Sequence, residues 1–133
     1  MSSITTDKGI LHYEVVGRGK PVIFLHGWLG SWALWKEVME SVSLRYRAYA
    51  LDFWGFGESG RKLDDYTIAD FATLVQQFMD QMGIFSSPLI GHSMGGTVSL
   101  LSGINFPLRI SKIMVIGSPI QGSSLSIPLK LAG

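Results

Sequence analysis

Cysteine is absent from this chain, which excludes disulfide bonds, thiolate nucleophiles and thiolate-bound metals. Charge is also scarce, since charged residues make up 16% of the sequence and the formal net charge is +1. Such a balance does not favour binding to nucleic acid or to an anionic membrane. No apolar run reaches the roughly 18 to 20 residues of a membrane span, and the start of the chain does not resemble a signal peptide. We therefore expect a cytoplasmic protein.

Short apolar runs alternate with helical patterns along the 133 residues, 47% of which are hydrophobic. Strands buried on both faces of a parallel sheet have such apolar sequences. The strands predicted in this way are 22–25, 49–51, 88–90 and 112–116. The helices predicted from apolar spacings of three and four are 31–42, 67–82 and 93–105. The order predicts an α/β fold with a mostly parallel sheet flanked by helices, and an antiparallel hairpin of 3–6 and 10–16 at one edge.

The sequence Gly91-His92-Ser93-Met94-Gly95 stands directly between a predicted strand and a predicted helix. It matches the Gly-x-Ser-x-Gly turn that lifts a nucleophilic serine clear of a sheet, where side chains at the two glycine positions would collide. The helix that follows points amides at the serine, and the amide of Met94 is placed to hold an oxyanion. The alternative is an ordinary glycine-rich turn. For His92 we favour a structural or hydrogen-bonding role.

A second segment, His26-Gly27-Trp28, follows the apolar strand that ends at Leu25. Gly27 allows a sharp turn, and the amide of Trp28 is a candidate second oxyanion donor. The imidazole of His26 could act in chemistry, but we favour a core histidine that bonds to nearby backbone and shapes the loop.

A third segment begins at Asp52, at the carboxyl end of the next apolar strand, and continues through Gly55 and Gly57 to Ser59. An aspartate in this position could be catalytic. We favour the alternative, in which its carboxylate accepts hydrogen bonds from loop amides.

These three segments, in this order and spacing, resemble the α/β-hydrolase family over about residues 4–119, and most closely its small esterase-like members. The resemblance implies Ser93 as the nucleophile and the amides of Trp28 and Met94 as the oxyanion hole. It implies an acyl substrate and neither a metal nor an organic cofactor. Serine at position 93, where the epoxide hydrolase and dehalogenase branches use aspartate, argues against those branches. Trp28, Trp54 and Phe56 suggest an apolar substrate.

The base that should take the proton of Ser93 is missing, because residues 94–133 contain no His, Asp or Glu. The resemblance implies the order serine, acid, histidine, in proteins of about 250 residues with about eight strands. We therefore expect residues 1–133 to be the N-terminal part of one domain, with about six of eight strands and a missing C-terminal half. Residues 118–133 would begin a cap over the pocket. The alternative is a non-catalytic protein on the same fold, which binds a small molecule or pairs with another chain.

Overall fold

A computed structural model describes residues 2–7, 9–27, 30–53 and 67–117 of the chain. Strands and helices alternate in it. Their bounds in chain order are β1 (Ser2–Thr6), β2 (Gly9–Val16), β3 (Pro21–Leu25), a 3-10 turn (Trp32–Trp35), α1 (Lys36–Val42), β4 (Arg47–Leu51), α2 (Ile68–Met82), β5 (Ser87–His92), α3 (Met94–Asn105) and β6 (Ile110–Ile116). The predicted segment 118–133, with its expected start of a cap, lies outside the described residues.

The six strands form one sheet in the order β1-β2-β4-β3-β5-β6. The four strands from β4 to β6 in this order run parallel, while β1 and β2 add an antiparallel hairpin at one edge. The predicted fold class and the hairpin are therefore confirmed. The strands extend one to three residues beyond their predicted bounds, in most cases at polar residues or glycines that carry no apolar signal.

Helices cover the two faces of the sheet unequally. Helices α2 and α3 pack on one face around a large buried cluster that includes Leu25, Phe71 and Phe78. The other face carries the 3-10 turn and the seven residues of α1, whose Trp35 and Met39 are buried against the sheet. No helix in the described part of the chain is long and apolar enough to cross a membrane.

The helix predicted over 31–42 differs in its first turn. Ser31 accepts a hydrogen bond from the amide of Ala33, as a cap should, but the residues that follow form a 3-10 turn. Because a 3-10 turn has three residues and an α-turn 3.6, the predicted apolar stripe does not stay in phase across the junction. Leu34 and Val38 consequently remain 52% and 45% exposed.

The helix predicted from Thr67 begins and ends as its sequence indicates. The amide of Asp70 donates to the Thr67 hydroxyl over 3.1 Å, and the Asp70 carboxylate accepts from the amide of Thr67 over 3.0 Å. This reciprocal pair satisfies two amides that a helix start leaves free. At the other end Gly83 adopts φ +69°, which a glycine reaches without strain.

Helix α3 lies directly against the end of β3 because Gly95 has no side chain. A Cβ at this position would lie 2.6 Å from the carbonyl oxygen of His26 and closer still to that of Leu25. Both obstacles are backbone atoms of a central strand, which cannot move aside cheaply. Gly103, two turns further along the same helix, would place a Cβ 2.6 Å from Ile113 Cδ1, the flexible tip of a side chain.

These two glycines make a matched test of the helix-to-strand approach. We expect Gly95→Ala to lower the free energy of unfolding by about 3 kcal/mol or more, since helix and strand must separate. Gly103→Ala should change it by less than about 1 kcal/mol, because alanine's helix propensity offsets a small movement of Ile113. Urea unfolding followed by circular dichroism measures both. Equal losses in the two variants would contradict the close approach at Gly95.

Candidate active site

Ser93 stands at the junction of β5 and α3 in a backbone conformation that L-residues avoid. Its φ is 55° and its ψ is −120°, and it is the one non-glycine residue with positive φ in the part of the chain the structure describes. Such a conformation costs about 1 to 3 kcal/mol and persists only where the surroundings impose it. Here the Ser93 amide donates to the carbonyl of Ile116 on β6 over 2.9 Å, and the Ser93 carbonyl accepts from the amide of Gly96 over 3.0 Å.

The turn closes on itself at Gly91. A Cβ on Gly91 would run into the carbonyl group of Gly95 and the amide nitrogen of Gly96. A side chain at Gly91 was predicted to collide, and the obstacle is the backbone of the first helical turn, which lies directly over this residue.

Ser93 lies beside the turn that follows β3. A Cβ on Gly27 would lie 2.8 Å from Ser93 Cβ, and 3.1 Å from both His92 Nδ1 and the His92 carbonyl oxygen. Strands β3 and β5 are adjacent and parallel, so their carboxyl ends reach the same edge of the sheet. The bare Cα of Gly27 therefore lets the serine side chain approach the backbone that leads to Trp28. Trp28 itself lies outside the described residues, as do Trp54 and Phe56.

Met94 supplies the first amide of α3, immediately after Ser93. Its side chain is fully buried in the main core, which fixes the residue in place. No carbonyl of the helix itself can reach an amide at the first helical position. The partial positive charge of the helix start therefore lies next to Ser93.

His26 joins the ends of β3 and β4 through both of its ring nitrogens. The amide of Phe53 donates to Nε2 over 3.0 Å, so Nε2 carries no proton. The proton is therefore on Nδ1, which lies 2.7 Å from the carbonyl oxygen of Gly27 and donates to it. The same carbonyl accepts the amide of Gly30 over 3.0 Å. The imidazole thus fixes the turn after β3 in a neutral, single-tautomer form.

Burial keeps this imidazole neutral. The ring is fully buried and packs against Phe53, with ring centroids 5.0 Å apart. Burial lowers the pKa of His26 below its ordinary 6.5, while the hydrogen bond to Gly27 and the nearby Asp52 carboxylate oppose the shift. Protonation would put a charge in the core and remove the acceptor from the Phe53 amide.

Asp52 is fully buried at the carboxyl end of β4. Its Oδ1 accepts the amide of Trp32 over 2.6 Å, so the carboxylate holds the start of the 3-10 turn against the sheet. Trp32 was not predicted as the partner of Asp52, because twenty residues separate these two residues and only the fold brings them together.

His12, on β2, is 2% exposed. Its Nε2 lies 2.9 Å from a carboxylate oxygen of Glu14, and its ring centroid lies 6.3 Å from that of Trp32. The alternation that puts positions 12 and 14 on one face of β2 was a usable signal. The covering turn that buries His12 was not visible in the sequence.

His92 is partly exposed next to Ser93. Its Nδ1 is buried beside Gly27 and forms no hydrogen bond with a described residue. Of the sequence-predicted residues, the structure therefore brings Gly27, Gly91, His92 and Ser93 together with Gly95. Asp52 and His26 support the neighbouring strand ends. Within ranges 2–7, 9–27, 30–53 and 67–117, no three His, Asp or Glu side chains are grouped to hold a metal ion.

Comparison with known proteins places this geometry in a family. A family model described as the alpha/beta hydrolase fold matches residues 20–131. Human epoxide hydrolase 4 is 33% identical over 118 residues, which are 85% of this chain and 33% of that protein. The pimeloyl-(acyl-carrier protein) methyl ester esterase of Vibrio campbellii is 31% identical over 108 residues, 81% of this chain and 41% of the esterase.

A solved structure agrees with the sequence matches. The crystal structure of Cfl2 from Burkholderia cenocepacia superposes with a TM-score of 0.86 at 26% identity, over 96% of this chain and 44% of Cfl2. The 133 residues thus span between a third and a half of the length of these proteins.

Backbone strain at position 93 can be measured without reference to activity. Ser93→Gly and Ser93→Ala both lack the hydroxyl, but only glycine adopts positive φ without cost. We expect Ser93→Gly to unfold with a free energy about 1 to 2 kcal/mol higher than Ser93→Ala. Urea unfolding at neutral pH measures the difference. Equal stability of the two variants would show that the residue is not strained.

The buried neutral His26 predicts acid sensitivity. Because its pKa is lowered on folding, the unfolded chain binds the proton more readily, and stability falls as the pH drops below 6.5. We expect His26→Gln, whose amide does not titrate, to lose less free energy of unfolding between neutral and mildly acidic pH than the wild type. Urea titrations across this range test the difference, and an NMR titration of the wild-type imidazole tests its pKa directly. An unchanged slope together with a pKa at or above 6.5 would refute the neutral tautomer.

Proposed function

The chain belongs to the family of the alpha/beta hydrolase fold, and on this premise we propose that it carries the nucleophile of a serine hydrolase acting on an ester or related acyl bond. The observation that carries the proposal is the placement of Ser93. A serine in a strained turn, next to a helix start and against the bare backbone of Gly27, suits attack on a carbonyl carbon. A structural serine would have no need of positive φ.

In the proposed reaction the Ser93 Oγ attacks the substrate's carbonyl carbon, and the carbonyl π electrons move to its oxygen. The amides of Met94 and Trp28 donate to this oxyanion, each contributing about 3 kcal/mol. Collapse of the intermediate expels the alcohol and leaves an acyl-enzyme, which water then hydrolyses. His26 acts as a positioning residue, because its bond to the Gly27 carbonyl orients the peptide that leads to the Trp28 amide.

A base must take the proton of the Ser93 hydroxyl and return it to the leaving alcohol. His26 directs both of its ring nitrogens to backbone groups and is not that base. Residues 94–133 contain no His, Asp or Glu. We propose that a histidine and an acid outside these 133 residues complete the site. No metal or organic cofactor is required by this scheme.

Ester chemistry is favoured over epoxide opening although relatives of both kinds match the chain. The residue at position 93 decides this preference. This chain has serine there, whereas the resemblance assigns aspartate to that position in epoxide hydrolases. Trp28, Trp54 and Phe56, near the site by sequence, suggest an apolar acyl group. These preferences concern the branch of the family and the substrate, and they rest on sequence alone.

One observation favours a different function. The same lack of an acid and a histidine after Ser93 would suit a non-catalytic protein on this fold. Such a protein would bind a small molecule near Ser93 or serve as a half-domain that pairs with another chain. It would not need the strain at Ser93, which is why we prefer the hydrolase.

The product of the complete reading frame and the 133-residue chain should be assayed side by side with p-nitrophenyl butyrate and with styrene oxide. We expect ester turnover by the complete product, and a loss of about a thousandfold or more in Ser93→Ala. Ser111→Ala, an exposed serine on β6, should keep full activity. The 133-residue chain alone should show no turnover that depends on Ser93.

Covalent labelling of the serine identifies the nucleophile independently of turnover. A fluorophosphonate should attach to Ser93 of the complete product, as located by mass spectrometry. Turnover of styrene oxide with unlabelled Ser93 would replace the ester proposal by epoxide chemistry. Saturable binding of the ester without turnover, in the complete product, would support the non-catalytic alternative.

A further inference from the structure

Among the described residues, the backbone of Ser93 makes one hydrogen bond to another strand. Its amide donates to the carbonyl oxygen of Ile116, the last residue of β6, over 2.9 Å. Its carbonyl accepts from the amides of Gly96 and Thr97 over 3.0 Å and 3.3 Å, but both donors belong to α3. The Ile116 carbonyl therefore fixes the amide side of Ser93 to the sheet, while the helix fixes its carbonyl side.

This bond helps to impose the strained conformation of Ser93. A φ of 55° with a ψ of −120° persists only where the surroundings hold it. The register of β5 and β6 aligns His92 with Ile116, so the bond from Ser93 continues their ladder one residue past the end of β5. If the Ile116 carbonyl turned away, the amide side of Ser93 would be free to relax, and its side chain would shift against Gly27.

Gly117 follows Ile116 directly and has a φ of +58°, in the left-handed region. The planar peptide unit between these two residues contains the Ile116 carbonyl, so the ψ of Ile116 and the φ of Gly117 together set the direction of this oxygen. An L-residue at position 117 prefers a negative φ. It reaches that conformation most directly by rotation of the shared peptide unit, which turns the oxygen away from the Ser93 amide.

We propose that Gly117 is a positioning residue for the nucleophile, because its left-handed backbone directs the Ile116 carbonyl at the Ser93 amide and so keeps Ser93 in its strained conformation. This inference rests on the proposed role of Ser93. Displacement of a reacting group by about 1 Å can cost about a hundredfold in rate. A small rotation at Gly117 therefore slows the chemical step, while substrate binding changes little.

Gly83 provides a matched control for Gly117. Its φ is +69°, and no atom of the described residues lies within 4 Å of a Cβ built at either glycine. Alanine at either position therefore meets similar backbone strain without a steric obstacle from the described part of the chain. Gly83 precedes the amino end of β5, however, and the length of this strand, about 20 Å, separates it from Ser93.

Kinetics of the complete product with p-nitrophenyl butyrate test this role. We expect Gly117→Ala to lower kcat about tenfold or more with KM within about twofold of the wild type, and Gly83→Ala to leave both within about twofold. Gly117→Asn should recover part of the loss, because asparagine tolerates the left-handed conformation better than alanine although its side chain is larger. Hydrogen exchange of the Ser93 amide, followed by NMR, should be about tenfold or more faster in Gly117→Ala and unchanged in Gly83→Ala.

Three kinetic results would overturn the inference: full activity of Gly117→Ala, equal losses of kcat in the two alanine variants, or a larger loss with asparagine than with alanine. The last would assign the effect to a steric obstacle instead of backbone strain. If the complete product has no ester turnover, the proposed function fails, and the exchange rate still tests the positioning of the Ser93 backbone. Faster exchange in Gly117→Ala alone supports that positioning, and unchanged exchange overturns it.

Discussion

Backbone contact without intervening side chains is the constraint on which this structure depends. Gly91 lies under the first turn of α3, Gly95 lies against the end of β3, and Gly27 lies against Ser93. Each contact is closer than a Cβ permits, so β3, β5 and α3 meet in one arrangement only. The positive φ of Ser93 is a consequence, because no relaxed backbone connects a strand to a helix that starts so close to it. The large core beneath α2 and α3 supplies the packing that keeps this strained turn in place.

Hydrogen bonds from buried polar side chains hold this arrangement in place. His26 satisfies the Phe53 amide and the Gly27 carbonyl, and Asp52 satisfies the Trp32 amide, so the ends of β3 and β4 and the start of the 3-10 turn are tied together. Rigid donors are what an oxyanion site requires, since donors that must reorient lose much of their effect. The same bonds engage both ring nitrogens of His26 and leave neither available for proton transfer.

Local signals in the sequence predicted the local structure well. The capping box at Thr67, the glycine at position 83 and the place of the Gly91–Gly95 turn between strand and helix all depend on neighbours within five residues. The 3-10 turn at Trp32, the burial of His12 and the Asp52 bond to Trp32 depend on segments far apart in the chain, which no single-sequence period records. The roles of Ser93, Met94 and Trp28 stay predictions.

In the described residues the two faces of the sheet are covered unequally, by α2 and α3 on one side and by the 3-10 turn and α1 on the other. The face beneath α2 and α3 provides the packing that imposes the strained turn at Ser93. Residues 94–133 contain no His, Asp or Glu that could exchange a proton with this serine. Proton transfer needs groups from separate parts of a fold brought to one point, whereas the turn needs only a strand, a helix and glycines.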